Sequence, residues 1–220
     1  MKVVEIFNSI DGEGTRTGML ATFIRLYGCN LNCSYCDTRY ATEKNDYKVM
    51  SVEGILEALR DIKAYRSITL TGGEPLIHPG VDKLIMRLVE EGYWVNVETN
   101  GTIVPQFRKP DMPHYIPQLF YTMDYKLSGS GQKEKMSMSA INSLDSIDVL
   151  KFVVGSTEDM EEALEVMETM TSRPCIYFSP VFGQIDPKQI VEFMQIHRMD
   201  TARVQLQLHK IIWNPEERGV

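Results

Sequence analysis

Residues 29–36 read Cys-Asn-Leu-Asn-Cys-Ser-Tyr-Cys, and they begin directly after an apolar run at 22–27 that is typical of a buried strand. A second polar run, Thr71-Gly72-Gly73-Glu74-Pro75, follows the apolar run at 67–71 in the same way. When strands lie parallel in an α/β barrel, their carboxyl ends meet at one rim. The cysteines and the glycine run are therefore expected to face one cavity.

Along the chain, apolar runs typical of strands alternate with apolar stripes typical of helices. Apolar runs predict strands at 2–7, 22–27, 67–71, 93–98, 119–125, 148–154, 175–179 and 203–208. Apolar stripes at helical spacing predict helices over 52–62, with Ser51 as N-cap, and over 81–88, 160–167 and 190–194. Strands that alternate with helices predict an α/β fold with a mostly parallel sheet and right-handed crossovers.

One crossover differs from the others. Between the runs at 93–98 and 119–125 the chain carries Pro105, Pro110, Pro113 and Pro117. Because proline lacks a backbone N–H and clashes inside a helix, this density excludes a full helix there. The predicted fold is therefore a partial, abbreviated (β/α) barrel in a single domain that spans residues 1–220.

Composition limits the partners of this chain. Its 220 residues are 43% hydrophobic and 24% charged, with a net charge of −7, and so acidic a chain is a poor candidate for wrapping nucleic acid. We see no apolar run long enough for a membrane span and no secretory leader, so we expect a cytoplasmic protein. Three of the four cysteines fall within eight residues, which favours metal ligation over a disulfide framework.

The cysteine spacing indicates an iron–sulfur cluster. Cys29, Cys33 and Cys36 form a C-x3-C-x2-C pattern, which can place three thiolates at three corners of a 4Fe–4S cube and leave the fourth iron open. Structural zinc is a weaker interpretation because it prefers four ligands, commonly in two close pairs. A redox dithiol of Cys33 and Cys36 is weaker still, since it leaves Cys29 unexplained. Cys175 lies in an apolar strand, where a small buried thiol is expected.

These motifs resemble the radical S-adenosylmethionine (SAM) superfamily, in which the open iron binds SAM. The resemblance rests on the three cysteines and on Gly72-Gly73-Glu74-Pro75. It implies reductive cleavage of SAM to a 5′-deoxyadenosyl radical that abstracts a substrate hydrogen. The residues that it places at SAM are Tyr35, Cys36, Asp37, Gly73, Glu74, Lys126, Leu127, Ser128, Ser179, Val181 and Phe182.

A narrower resemblance, to the 7-carboxy-7-deazaguanine synthase family, runs from end to end of the chain. It is carried by Phe7-Asn8-Ser9-Ile10-Asp11-Gly12-Glu13-Gly14, Arg25, Cys36-Asp37-Thr38, Lys126-x-Ser128-Gly129, Ser179-Pro180-Val181-Phe182-Gly183 and Arg218-Gly219-Val220. That family converts 6-carboxy-5,6,7,8-tetrahydropterin to 7-carboxy-7-deazaguanine with loss of ammonia, on the route to queuosine. The resemblance implies Thr38 as a Mg²⁺ ligand. At the substrate it implies Ile10, Asp11, Gly12, Glu13, Arg25, Thr71 and Val220.

The same resemblance implies a homodimer and a protein reductant such as flavodoxin or ferredoxin. Residues 1–20 are expected to form a substrate-binding strand and loop, and residues 209–220 a tail that closes the site. We expect Ile211, Ile212 and Trp213 to anchor this tail by apolar packing. Arg218 and the carboxylate of Val220 would then lie near the cavity.

One residue departs from the family pattern, since many members carry glutamine where this chain has Asp11. A carboxylate there lacks the amide donor, although its backbone contacts could survive the change. Two rival functions stay open at this point. One is an activating enzyme for a glycyl-radical enzyme, and the other is a metal-binding module without catalysis.

Overall fold

The computed structural model describes residues 1–44, 46–107, 111 and 116–220. The strands in this part of the chain are β1 (Lys2–Ile10), β2 (Leu20–Leu26), β3 (Lys48–Val49), β4 (Ser67–Gly72), β5 (Trp94–Thr99), β6 (Leu119–Tyr125), β7 (Val149–Val154), β8 (Cys175–Pro180) and β9 (Ala202–Val204). They form one sheet in the order β3-β1-β2-β4-β5-β6-β7-β8-β9. β1 is antiparallel to β2 and β3, and each later pair is parallel. The predicted α/β fold with a mostly parallel, incomplete barrel is confirmed.

The described part of the chain forms seven α-helices, of which the longer ones cover the apolar side of this sheet. The seven are α1 (Tyr40–Glu43), α2 (Val52–Asp61), α3 (Val81–Glu90), α4 (Met138–Ile141), α5 (Thr157–Thr169), α6 (Pro187–Ile196) and α7 (His209–Ile212). The four longer helices are those that the apolar stripes predicted, and the Ser51 hydroxyl accepts the N–H of Gly54 as an N-cap should. Their buried side chains join those of the strands in one hydrophobic core.

The other face of the sheet is polar. Side chains alternate between the two faces of a strand, so Ile68 and Leu70 of β4 enter the core while Thr69 and Thr71 face the opposite side. In-register pairing of the parallel strands then sets polar residues side by side across the sheet. Arg25 of β2 lies beside Thr71, for example.

Two strands differ from the prediction at their ends. β1 continues to Ile10, beyond the predicted limit at 7, because it pairs with all of β2 in a hairpin. β9 stops at Val204 rather than 208, because the chain leaves the sheet and bonds to the loop after β1 through the N–H of Leu208 and the carbonyl of Gly12 at 3.1 Å.

The crossover from β5 to β6 has no helix in its described residues, 100–107, 111 and 116–118. This agrees with the exclusion based on Pro105 and Pro117, whereas Pro110 and Pro113 lie outside the described residues. In the described part of the chain, no helix has the length and apolar character that a membrane span requires.

Candidate active site

The three clustered cysteines line a cavity of about 610 Å³ at the carboxyl ends of the strands. Cys29 follows β2, and the loop that it opens brings Cys33 and Cys36 to the same space. The N–H of Leu31 and the side-chain amide of Asn100 donate to Cys29 Sγ over 3.4 and 3.6 Å. Donors of this kind stabilise thiolate charge, which suits the ligands of an iron–sulfur cluster.

This arrangement fits a cluster better than a single ion. Within the described ranges, no three His, Cys, Asp or Glu side chains converge enough to hold one metal ion. A zinc site needs such convergence, whereas three irons of a cube each bind a different thiolate. Burial raises the pKa of Cys29 and Cys33, so their thiolates form when a metal supplies the compensating charge.

Cys175 takes no part in this site. It is the first residue of β8 and therefore lies at the amino end of its strand, away from the rim where the cavity opens. Its thiol lies 3.7 Å from the carbonyl oxygen of Ser146. The residue is half-buried rather than buried as predicted, because it stands at the margin of the sheet.

Two glycines allow the cysteine loop to approach β4. Gly72 has φ +148°, and a Cβ there would overlap the carbonyl oxygen of Leu26. A Cβ on Gly73 would overlap the carbonyl oxygen of Gly28 and lie 2.8 Å from Cys29 Cβ. Backbone hydrogen bonds from Gly73 to Leu26 (3.2 Å) and from Glu74 to Gly28 (2.9 Å) join the two segments. Only glycine permits this contact.

Glu74 lies behind the glycines and is fully buried. Its carboxylate accepts the Thr99 hydroxyl and the N–H groups of Leu76 and Asn100, at 2.9, 2.9 and 2.6 Å. Burial raises the pKa of Glu74 to about 7, although the three donors oppose the shift. Its contacts show that Glu74 fixes the loop after β5, which carries the Asn100 amide to Cys29.

Charged side chains form the floor of the cavity. Lys126 Nζ bonds to one oxygen of Asp124 at 2.9 Å, and Lys151 Nζ bonds to the other at 2.9 Å. Lys151 also pairs with Glu13 from the loop after β1. Burial raises the pKa of the nearby Glu98 to about 7 despite the neighbouring Lys151.

The wall opposite this floor is formed by Arg25. Its Nε donates to Glu5 at 2.6 Å, and the same oxygen accepts the Tyr40 hydroxyl at 2.9 Å. The guanidinium also lies over the rings of Phe7 and Tyr40. No other described residue bonds to its side chain, so the two Nη groups are available to a carboxylate in the cavity.

The loop after β1 is held rigidly. Asp11 bonds to Arg16 Nε at 2.9 Å and accepts the Thr69 hydroxyl at 2.7 Å. Its N–H and carbonyl are both used within the hairpin, by Met19 and Gly18. Asp11 therefore lies outside the cavity lining and positions the loop, whereas its neighbours Gly12 and Glu13 reach the cavity.

The tail lies along the cavity mouth. His209 packs against Gly12, Lys210 Nζ bonds to Asp37 at 3.2 Å, and the guanidinium of Arg218 lies 3.7 Å from the ring centre of Tyr40. Ile211 and Ile212 are exposed, so the apolar anchor predicted for them is wrong, whereas Trp213 is half-buried. Polar and cation–π contacts hold the tail instead, because α7 turns its isoleucines outward.

The comparisons with known proteins agree with this geometry. Residues 23–116 match the radical SAM superfamily. The chain is 41% identical to the 7-carboxy-7-deazaguanine synthase of Clostridium acetobutylicum over 100% of this chain and 99% of that one. It is 38% identical to the synthase of Methanospirillum hungatei, over 98% of this chain and 86% of that one. The crystal structure of QueE from Escherichia coli superposes with a TM-score of 0.77 and 25% identity, over 94% of each chain.

The chain belongs to the 7-carboxy-7-deazaguanine synthase family. It is therefore a radical SAM lyase, and radical SAM enzymes use a 4Fe–4S cluster and SAM. Three cysteines in one loop at the cavity, with N–H donors at Cys29, are the residues that would hold such a cluster.

Most of the residues predicted for the site of this lyase line its cavity. They are Ile10, Gly12, Glu13, Arg25, Cys29, Cys33, Tyr35, Cys36, Asp37, Thr38, Thr71, Gly73, Lys126, Val181, Phe182 and Val220. Five predicted residues do not line it, and these are Asp11, Glu74, Leu127, Ser128 and Ser179. Leu127 and Ser179 are buried, and Ser128 gives its N–H to Glu162 at 3.0 Å.

Glu98 and Asn100, which follow the apolar run at 93–98, and His209 and Lys210, in the predicted tail, also line the cavity. The sequence interpretation missed Asp124 and Lys151. A signal for both was present, since each stands between apolar residues in its strand, the alternation expected when one face of a strand meets a polar space.

We predict that Gly73→Ala lowers the iron bound per chain after reconstitution, because the added methyl group displaces Gly28 and Cys29. Gly54→Ala is the matched control, since its Cβ meets only the Ser51 hydroxyl at 3.3 Å. Iron analysis and thermal unfolding of both variants provide the measurement. Unchanged iron content in Gly73→Ala would contradict the role given to the close approach.

Proposed function

We propose that this enzyme converts 6-carboxy-5,6,7,8-tetrahydropterin to 7-carboxy-7-deazaguanine with release of ammonia, in the biosynthesis of queuosine. One observation carries the proposal: the cavity that is lined by the three cysteines is also lined by Arg25, Thr71 and Glu13. The family of the relatives supports the same reaction. A bound cluster supplies the electron for SAM cleavage, which provides the radical that removes a substrate hydrogen.

The chain's own residues would bind and orient the reactants. Tyr35, Asp37 and Lys126 lie next to the cysteines and are assigned to SAM. The Nη groups of Arg25 suit a bidentate grip on the substrate carboxylate. Phe7 and Phe23 stack at a centroid distance of 5.1 Å and line the same wall, and they exclude water from the reacting ring.

Magnesium is assigned to Thr38. Its hydroxyl lies in the cavity lining, 3.8 Å from Cys36 Sγ. Mg²⁺ prefers oxygen ligands and keeps several waters, so one hydroxyl together with waters and substrate oxygens suffices. The ion would orient the substrate and offset charge that develops as the ring contracts.

The wider setting follows the family resemblance. We propose a cytoplasmic homodimer that receives electrons from a flavodoxin or ferredoxin. The segment 209–220 closes the site in this proposal, supported by the contacts of Lys210 and Arg218.

Mass spectrometry of a single reaction tests the proposed function. Reconstituted protein is incubated with SAM, dithionite, Mg²⁺ and the carboxytetrahydropterin. We expect 5′-deoxyadenosine and the deazaguanine acid as products. Formation of 5′-deoxyadenosine without the deazaguanine would exclude this substrate, and the absence of both would favour a non-catalytic metal-binding module.

We predict that Cys29→Ala, Cys33→Ala and Cys36→Ala each lose the cluster, because each thiolate occupies its own corner of the cube. Cys175→Ala keeps it, since this thiol lies at the opposite end of its strand. Iron content and the broad visible absorption measure both results. Loss of the cluster from the Cys175 variant would overturn the ligand assignment.

Product formation is predicted to depend on Mg²⁺. In Thr38→Ala, half-maximal turnover should require about tenfold more Mg²⁺, the effect of roughly 1.4 kcal/mol of lost binding energy. Thr38→Ser retains the hydroxyl and serves as the control. The magnesium assignment is wrong if chelation leaves turnover unchanged.

Arg25→Lys is predicted to raise the substrate KM by roughly 10- to 100-fold, because a point charge replaces a planar fork worth about 1.5–3 kcal/mol. SAM cleavage without substrate should stay within about twofold of wild type, since a carboxylate clamp contributes only when substrate is bound. Arg60→Lys, on the exposed surface of α2, is the control. An equal loss of both activities would indicate damage to the cluster or fold instead.

A further inference from the structure

Lys151 is the most enclosed cation of the cavity floor, and nothing in the sequence motifs singles it out. It stands on β7 directly beside Asp124 of β6, because these two parallel strands pair in that register. Its side chain is 9% exposed and that of Glu13 is 12% exposed. The ammonium bonds to Asp124 Oδ1 at 2.9 Å and to Glu13 Oε2.

One N–H donor of Lys151 and one carboxylate oxygen of Glu13 have no hydrogen-bond partner among the described residues. An ammonium has three N–H donors, and among the described residues Lys151 bonds only to Glu13 and Asp124. Glu13 Oε1 is buried and has no hydrogen-bond partner among the residues that the structure describes. Both residues line the cavity. A buried acceptor without a partner is costly, so a ligand that donates to it is expected.

The protonation state of Lys151 decides whether it can transfer a proton or only donate hydrogen bonds. Burial lowers the pKa of a lysine, but Asp124, Glu13 and Glu98 outweigh burial and raise the pKa of Lys151 well above its usual value. The ammonium therefore keeps its proton throughout the neutral range and is unsuited to proton transfer. It serves as a fixed hydrogen-bond donor.

We propose that Lys151 and Glu13 together form a recognition edge for the heterocycle of the substrate. The third N–H of Lys151 donates to a carbonyl or ring-nitrogen acceptor, and Glu13 Oε1 accepts from the neighbouring ring N–H. This inference rests on the proposed function, since a pterin carries such a pair as its cyclic amide. The pair also suits any other bicyclic ring with adjacent acceptor and donor.

The pair determines specificity because both of its members are buried charges. A ring without the acceptor leaves Lys151 without a partner, and a ring without the N–H leaves Glu13 without one. A site built from buried charges binds such rings much more weakly. Arg25 reads the carboxylate at the opposite wall, so the two sets of contacts would define both ends of the ligand.

Lys151 can be changed without removing the partner of Lys126. Asp124 keeps its second oxygen on Lys126 when Lys151 is lost, so the SAM side of the cavity retains its ion pair. A structural role alone would weaken both ligands or the fold together. A recognition role weakens the pterin selectively.

The test uses the reconstituted enzyme with its cluster, without reductant, so that binding is measured without turnover. Calorimetry gives the dissociation constants of the carboxytetrahydropterin, in the presence of SAM, and of SAM alone. For Lys151→Met we expect the pterin constant to rise by at least about 30-fold, a loss of roughly 2 kcal/mol, and the SAM constant to change by less than about threefold. Lys188→Met, on the exposed surface of α6, is the control.

A second measurement needs only the wild-type enzyme. A pterin methylated at the ring N–H beside its carbonyl should bind at least about tenfold more weakly than the parent, a loss of roughly 1.4 kcal/mol.

Should Lys151→Met fail to fold, Lys151→Gln replaces it, with the same selective loss expected. Wild-type pterin affinity in the lysine variant, equal weakening of SAM, or tight binding of the methylated pterin would each overturn the recognition edge. Failure of the wild-type enzyme to bind the parent pterin would instead overturn the proposed function.

Discussion

The whole site depends on the close contact between two backbones at the carboxyl ends of β2 and β4. Gly72 and Gly73 allow the contact, and hydrogen bonds from Gly73 and Glu74 to Leu26 and Gly28 hold it. Because Cys29 is the next residue, this contact fixes the position of the first of the three clustered cysteines relative to the sheet. A side chain at either glycine would displace the cysteine loop, because its Cβ would overlap the backbone of Leu26 or Gly28.

The in-register pairing of the parallel strands organises everything around that contact. One face of the sheet packs under the helices, and the other presents a row of polar side chains in which Asp124 lies beside Lys151 and Arg25 beside Thr71. Burying these charges is costly unless they are paired. Asp124 meets this requirement by dividing its two oxygens between Lys126 and Lys151, so one carboxylate joins the two lysines of the cavity floor.

Sequence patterns predicted what is local and periodic. The apolar runs located eight of the strands, and the cysteine spacing identified three cysteines that line one cavity, since both signals lie within short segments. Contacts between distant segments were not predictable. Two examples are the hydrogen-bonded network of Asp11, Arg16 and Thr69 and the packing of His209 against Gly12. Both depend on the tertiary fold, which brings distant segments together. The two-residue strand β3 and the exposed Ile211 lack any periodic signal.

In the proposed site, three cysteines hold a four-iron cluster and leave one iron for SAM. Electron paramagnetic resonance of the reduced, reconstituted protein, with and without SAM, distinguishes this arrangement from a closed metal site. We predict the signal of one 4Fe–4S cluster per chain and a change in that signal when SAM is added, because SAM would occupy the iron that lacks a cysteine. A spectrum that does not respond to SAM, or stoichiometric zinc in place of iron, would contradict it.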